Sequence, residues 1–141
     1  MTSDVKSIVG SQLTEPHVVS FLERFTEYTE RFDETCEDGQ FHLISYRHGW
    51  ETFVRAELVV SLWLHSGIEP DFDRYATDLP YNICFDDSRD AARAKHGVSN
   101  HSDIHRAHRL AHDVFVIDDF RVTLYYTHDF LRTSYMLVNR P

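Results

Sequence analysis

Glycine, proline and cysteine are all scarce in this chain: five, four and two residues of 141. So few glycines leave little material for a phosphate-cradling loop, and neither the P-loop pattern, G-x-G-x-x-G nor G-x-S-x-G occurs. Cys36 and Cys84 lie far apart and form no C-x-x-C pair, which excludes a disulfide-dense scaffold and reads as a cytoplasmic protein with reduced thiols. No apolar run approaches the roughly 18 residues that span a bilayer, and the first ten residues lack the basic and apolar regions of a secretory leader. No membrane association is expected. Bases are few as well: 14 Lys and Arg stand against 23 Asp and Glu, a formal charge of −9. Most of such a surface repels nucleic acid, so no direct nucleic-acid binding is expected and the favoured macromolecular partner is a basic protein.

What the chain does have is apolar mass. Hydrophobic residues make up 42% and aromatics 13%, enough for a packed core in one ordinary domain over residues 1–141. The charge is uneven: residues 1–40 carry nine acids and three bases, whereas residues 91–141 carry five acids, seven bases and six of the ten histidines.

Periodicity suggests three main helices. A first begins near Thr14-Glu15-Pro16, with Phe21, Phe25, Tyr28 and Phe32 on one face and Glu23, Glu27, Glu30, Glu34 and Glu37 on the other. A second, Trp50 to His65, is apolar almost all round and carries Glu57 among its apolar side chains. A third runs from Ser99 or Ser102 to His112. A short Ala-rich helix from Asp90 to Lys95 is capped by Ser88 and stopped by Gly97. Phe41 to Ser45 and Leu79 to Phe85 read as strands, and Val114–Ile117, Phe120–Tyr126 and Leu131–Val138 as a C-terminal meander. The expected fold is α+β: an antiparallel sheet of four or five strands with two or three helices packed on one face. This arrangement resembles the cystatin-like cone of nuclear transport factor 2-like proteins.

Four histidines, His101, His105, His108 and His112, fall within roughly a 60° wedge if their segment is helical. Imidazoles at i and i+4 can share one Zn²⁺, so His101 with His105, or His108 with His112, is the candidate metal pair. Otherwise the stripe is a proton-responsive surface. Glu57, on an apolar helix face, is the candidate for a buried acid or base, near Tyr46, His48 or Asn82. Glu57 on a helix, Asn82 on a following strand and Asp119-Phe120-Arg121 together resemble the arrangement of PD-(D/E)XK nucleases. Asn stands where that family has Asp, and Arg where it has Lys, which implies a degenerate member with a crippled Mg²⁺ site. Cys84 reads as a buried, inert thiol and Cys36 as a thiol among acids.

The best-supported function at this level is an interaction protein, of the inhibitor or immunity type, that masks a basic partner. Glu23, Glu27, Glu30, Glu34, Asp71 and Asp73 would supply steering and rim contacts. The alternative is a small enzyme or ligand-binding domain built around Glu57, with His48 and Asn82 as its other catalytic candidates.

Overall fold

Alternation, not helical periodicity, governs most of the chain. The computed structural model describes residues 7–34, 36–97, 101–105 and 110–140. It is an eight-stranded sheet in the order β1-β2-β3-β4-β8-β7-β6-β5. The strands are β1 (Thr29–Arg31), β2 (Gln40–Ser45), β3 (Trp50–Arg55), β4 (Leu58–His65), β5 (His101–His105), β6 (Leu110–Ile117), β7 (Phe120–Tyr126) and β8 (Thr133–Asn139). Every pairing is antiparallel, so two four-stranded meanders join through β4 and β8. Two short α-helices, α1 (Pro16–Arg24) and α2 (Arg89–His96), complete the described residues with a 3-10 turn at Pro80–Asn82. An expectation of four or five strands with two or three larger helices is therefore overturned, and with it the cone-like variant.

The second expected helix is a hairpin. Trp50, Thr52 and Val54 are buried and alternate with half-buried Glu51 and Phe53. A run that is apolar on both faces suits a strand inside a wide sheet as well as a buried helix, and periodicity alone does not separate them. The deciding feature is local: Ala56 and Glu57 both adopt positive φ (51° and 66°), the conformation that reverses a two-residue hairpin with the twist of its strands. Asp118 and Asp119 (50° and 66°) repeat the device between β6 and β7. The third expected helix is also absent, replaced by β5 and β6 paired with His101 opposite Val114 and His105 opposite Leu110. Residues 106–109, His108 among them, lie outside the described residues.

α1 stops at Phe25, which leaves helical geometry (φ −113°, ψ 60°) so that its ring meets Tyr75 at 5.4 Å and His48 at 5.7 Å. Phe21 packs edge-on to Trp50 at 5.2 Å, and this pair anchors α1 over one face of the sheet. α2 begins at Ser88, whose hydroxyl accepts from the Ala91 amide, and ends at Gly97 (φ 85°), as its sequence predicts. It buries Ala92 against the same core, to which Phe115, Leu124 and Met136 belong. Both helices therefore cover one face. On the opposite face the segment after β4 folds back over His65: the Asp73 amide donates to the Tyr46 carbonyl (2.8 Å) and the Tyr75 amide to that of His65 (2.9 Å).

Candidate functional site

Cross-strand pairing builds a row of rings on the face opposite the helices. His65 of β4 stands opposite Tyr135 of β8, Tyr135 opposite Tyr125 of β7, and Tyr125 opposite His112 of β6. Their ring centroids follow at 5.6, 4.3 and 5.4 Å. Phe72, from the returning segment, extends the row by stacking flat on His65 at 3.7 Å and 5°. Ring-on-ring pairs at such distances contribute about 0.5–1.5 kcal/mol each beyond area burial. Burial pushes the hydroxyls of both Tyr125 and Tyr135 above the usual tyrosine range, and Tyr125, Glu69 and Glu51 push Tyr135 further. Both phenols are therefore neutral donors at physiological pH.

A second row crosses this ladder, with carboxylates and imidazoles in alternation. His65 Nδ1 faces Glu69 Oε2 at 3.8 Å and its Nε2 faces Glu51 Oε1 at 3.8 Å. The other Glu51 oxygen faces His42 Nδ1 at 3.7 Å, and His42 Nε2 faces Asp33 Oδ2 at 4.0 Å. Neither ring nitrogen of buried His65 has a hydrogen bond among the described residues. Protonated imidazoles would add two positive charges to a row holding three carboxylates, so the row retains net negative charge in either state. Trp63 stands beside Glu51 and Phe53 stacks obliquely on His42 at 5.0 Å. The face thus combines aromatic surface with carboxylates, the chemistry that receives cationic groups.

On the covered face a different cluster holds one buried carboxylate. Asp113 of β6 is fully buried, and Arg93 of α2 grips it with two bonds, Nε to Oδ2 (2.9 Å) and Nη2 to Oδ1 (2.8 Å). The Tyr126 hydroxyl donates to Oδ2 at 3.0 Å and Arg89 Nε lies 3.6 Å from it. Burial and the neighbouring Asp113 charge raise Tyr126 far above the normal tyrosine range, keeping it a donor. Fork-to-fork pairing of this kind fixes α2 on the sheet. Its arginines also line a surface cleft with Asp129, Phe130 and Leu131. Sequence reasoning missed the cluster although its signals are present: an acid at the inward position of Ala111-His112-Asp113-Val114-Phe115, and arginines at i and i+4 of an Ala-rich helix.

The expected sites are rearranged. Glu57 is exposed in the β3–β4 turn, so it is no buried acid. His48 lies at the opposite end of β3, about 20 Å away by strand rise, half-buried against Phe25. Asn82 is exposed with φ 58°, and Asp119 occupies a turn. Neither Glu57 nor Asn82 has the helix or strand setting that the nuclease-like arrangement requires, and that resemblance falls. The glutamate stripe dissolves: Glu23 is on α1, Glu27 (φ 64°) pairs with Arg47 at 3.2 Å, Glu30 is on β1 and Glu34 follows it. Asp71 and Asp73 are exposed on the segment that folds beside His65. The helical histidine stripe does not exist, since His101 and His105 are on β5 and His112 is in the ring ladder on β6. Cys84 is exposed outside any strand, against the expectation of a buried thiol.

Among the described residues no helix is long and apolar enough to cross a membrane. No protein-family model matches the chain, and no curated protein matches it in sequence. In architecture it is similar to the crystal structure of a cysteine-rich secretory protein from Staphylococcus aureus subsp. aureus Mu50, with a TM-score of 0.59 at 9% identity. The match covers 95% of this chain but 44% of that one, so the chain spans less than half of that protein's length and shares with it a fold alone.

Proposed function

We propose that this chain is a binding module that masks a cationic segment of a partner protein, in the manner of an inhibitor or immunity protein, with the part-exposed side chains of the sheet face opposite the helices as its grip. The observation that carries this reading is the placing of part-exposed Glu51 opposite Trp63, and of part-exposed Glu69 close to Phe72, whose ring caps buried His65. Lysine and arginine side chains bind where a carboxylate pairs their charge and an aromatic face receives their apolar stem. Asp71 and Asp73, exposed on the adjoining segment, extend the negative field and steer a basic partner toward the face. The net charge of −9 acts in the same direction. The two free thiols accord with a reducing, cytoplasmic setting.

Tryptophan emission tests the proposal. Trp50 is fully buried in the core, whereas Trp63 is half-buried on the proposed face. Titration with a Lys/Arg-rich peptide should change the Trp63 signal, whereas a Glu-rich peptide should not. Joint replacement Glu51→Gln and Glu69→Gln should weaken the basic peptide by about tenfold or more, ~1.4 kcal/mol. Association should also slow as salt rises. Equal affinity of wild type and the double variant would remove this face from the interaction.

A further inference from the structure

At the β1 edge of the sheet, three different metal-ligating atoms converge. Asp33 and Cys36 follow β1, and the pairing of Arg31 with His42 brings that connection beside the His42 ring on β2. The Cys36 thiol donates to Asp33 Oδ1 at 3.6 Å, and Asp33 Oδ2 lies 4.0 Å from His42 Nε2. One donor atom from each residue lies within 4.8 Å of the others. A tetrahedral Zn²⁺ ion, with bonds of about 2.0–2.3 Å, sets its ligand atoms roughly 3.3–3.6 Å apart. Side-chain rotations that close the remaining gap of up to about 1.5 Å would complete the site.

The surroundings of His42 match a ligand as well. Its Nδ1 is buried, has no hydrogen bond among the described residues, and faces Glu51 Oε2 at 3.7 Å. A metal-bound imidazole commonly donates its second N–H to a carboxylate, which fixes the tautomer and raises ligand basicity. Glu51 is placed for that role, while Nε2 faces Asp33 Oδ2 on the other side of the ring. Thiolate, imidazole and carboxylate together select a borderline-soft ion of the zinc class over Mg²⁺ or Ca²⁺, and their two negative charges balance a divalent cation. The Asp33 side chain is 41% exposed, so a fourth position would open to solvent.

We propose that Asp33, Cys36 and His42 form a mononuclear site for a zinc-class divalent ion, with Glu51 orienting His42. The proposal shares Glu51 with the partner-binding reading but does not require it, and metal binding is read separately from peptide binding. The test uses the full chain with a non-thiol reductant, titrated with Co²⁺ by absorption and with Zn²⁺ against a chromophoric chelator. Wild type and Cys84→Ser should both give a thiolate-to-Co²⁺ charge-transfer band at one equivalent. Cys36→Ser should lose the band, and His42→Gln and Asp33→Asn should weaken Zn²⁺ by tenfold or more. Glu51→Gln should keep the band and weaken Zn²⁺ by about 10–100-fold. Circular dichroism of each variant separates lost ligation from lost folding. A band that persists in Cys36→Ser, or Zn²⁺ affinity equal in wild type and Cys36→Ser with no band in either, overturns the proposal; the second result would place zinc on the chain's other histidines.

Discussion

Removing Arg93 should show what the buried carboxylate of Asp113 costs when it is left under-paired. Asp113 has no exposed surface, and Arg93 supplies two short contacts to it, 2.9 and 2.8 Å. In Arg93→Ala the carboxylate retains Tyr126 at 3.0 Å and the Arg89 guanidinium at 3.6 Å. Breaking a buried pair by deleting one partner typically costs about 3–5 kcal/mol. The Arg93 side chain is 38% exposed and Arg89 stands close, so about 3 kcal/mol, the lower end of that range, is expected. For a chain of this size that is a fall in Tm of roughly 6–12 °C. The double variant Arg93→Leu with Asp113→Leu should lose less than the sum of its single variants, because an apolar replacement leaves no buried charge behind. Urea denaturation followed by circular dichroism gives the value for each variant. A loss below about 1 kcal/mol in Arg93→Ala would show that the pair behaves like a surface ion pair, and the account of how α2 is held would fail.

Three further outcomes are expected. His96 has a lowered pKa, chiefly through burial and then through Lys95, with Asp87 opposing, so the folded chain takes up its proton less readily than the unfolded chain; stability should fall as pH drops below about 6.5, and His96→Gln should flatten that part of the profile in melts at pH 7.5 and 5.5. Tyr126 has a raised pKa, so its unfolded form ionises first; stability should fall as pH rises above about 10, and Tyr126→Phe should lessen that loss, the share of Tyr125 and Tyr135 remaining, while costing about 1–2 kcal/mol at neutral pH, where Asp113 loses a donor. Gly49 (φ 71°) sits where a Cβ would meet the Asp73 carbonyl and the Tyr75 amide, so Gly49→Ala should cost roughly 2 kcal/mol or more and expose the 66–75 segment to proteolysis. A Gly49→Ala protein with wild-type stability and cleavage would show that this segment is not pinned to the sheet.

Local chemistry in the sequence determined the local features of the chain. Ser88 and Gly97 bracket α2 because a hydroxyl cap and a left-handed stop act within four residues, and Phe120–Tyr126 reads as a strand because its inward positions alternate. The excess of acid also belongs to the sequence, which is why a basic partner could be proposed before any geometry. Tertiary structure alone decided whether Trp50–His65 is one helix or a hairpin, since an apolar run without a polar face satisfies both, and only the neighbouring strands β2 and β8 supply partners for its backbone. It also decided the sites. His42, Glu51, His65, Tyr125 and Tyr135 come from five different strands, and Asp113 meets Arg93 across a separation of 20 residues. The spacing of four histidines could not foresee this, because side-chain neighbours across a sheet are set by strand register, and register is an outcome of packing the whole chain.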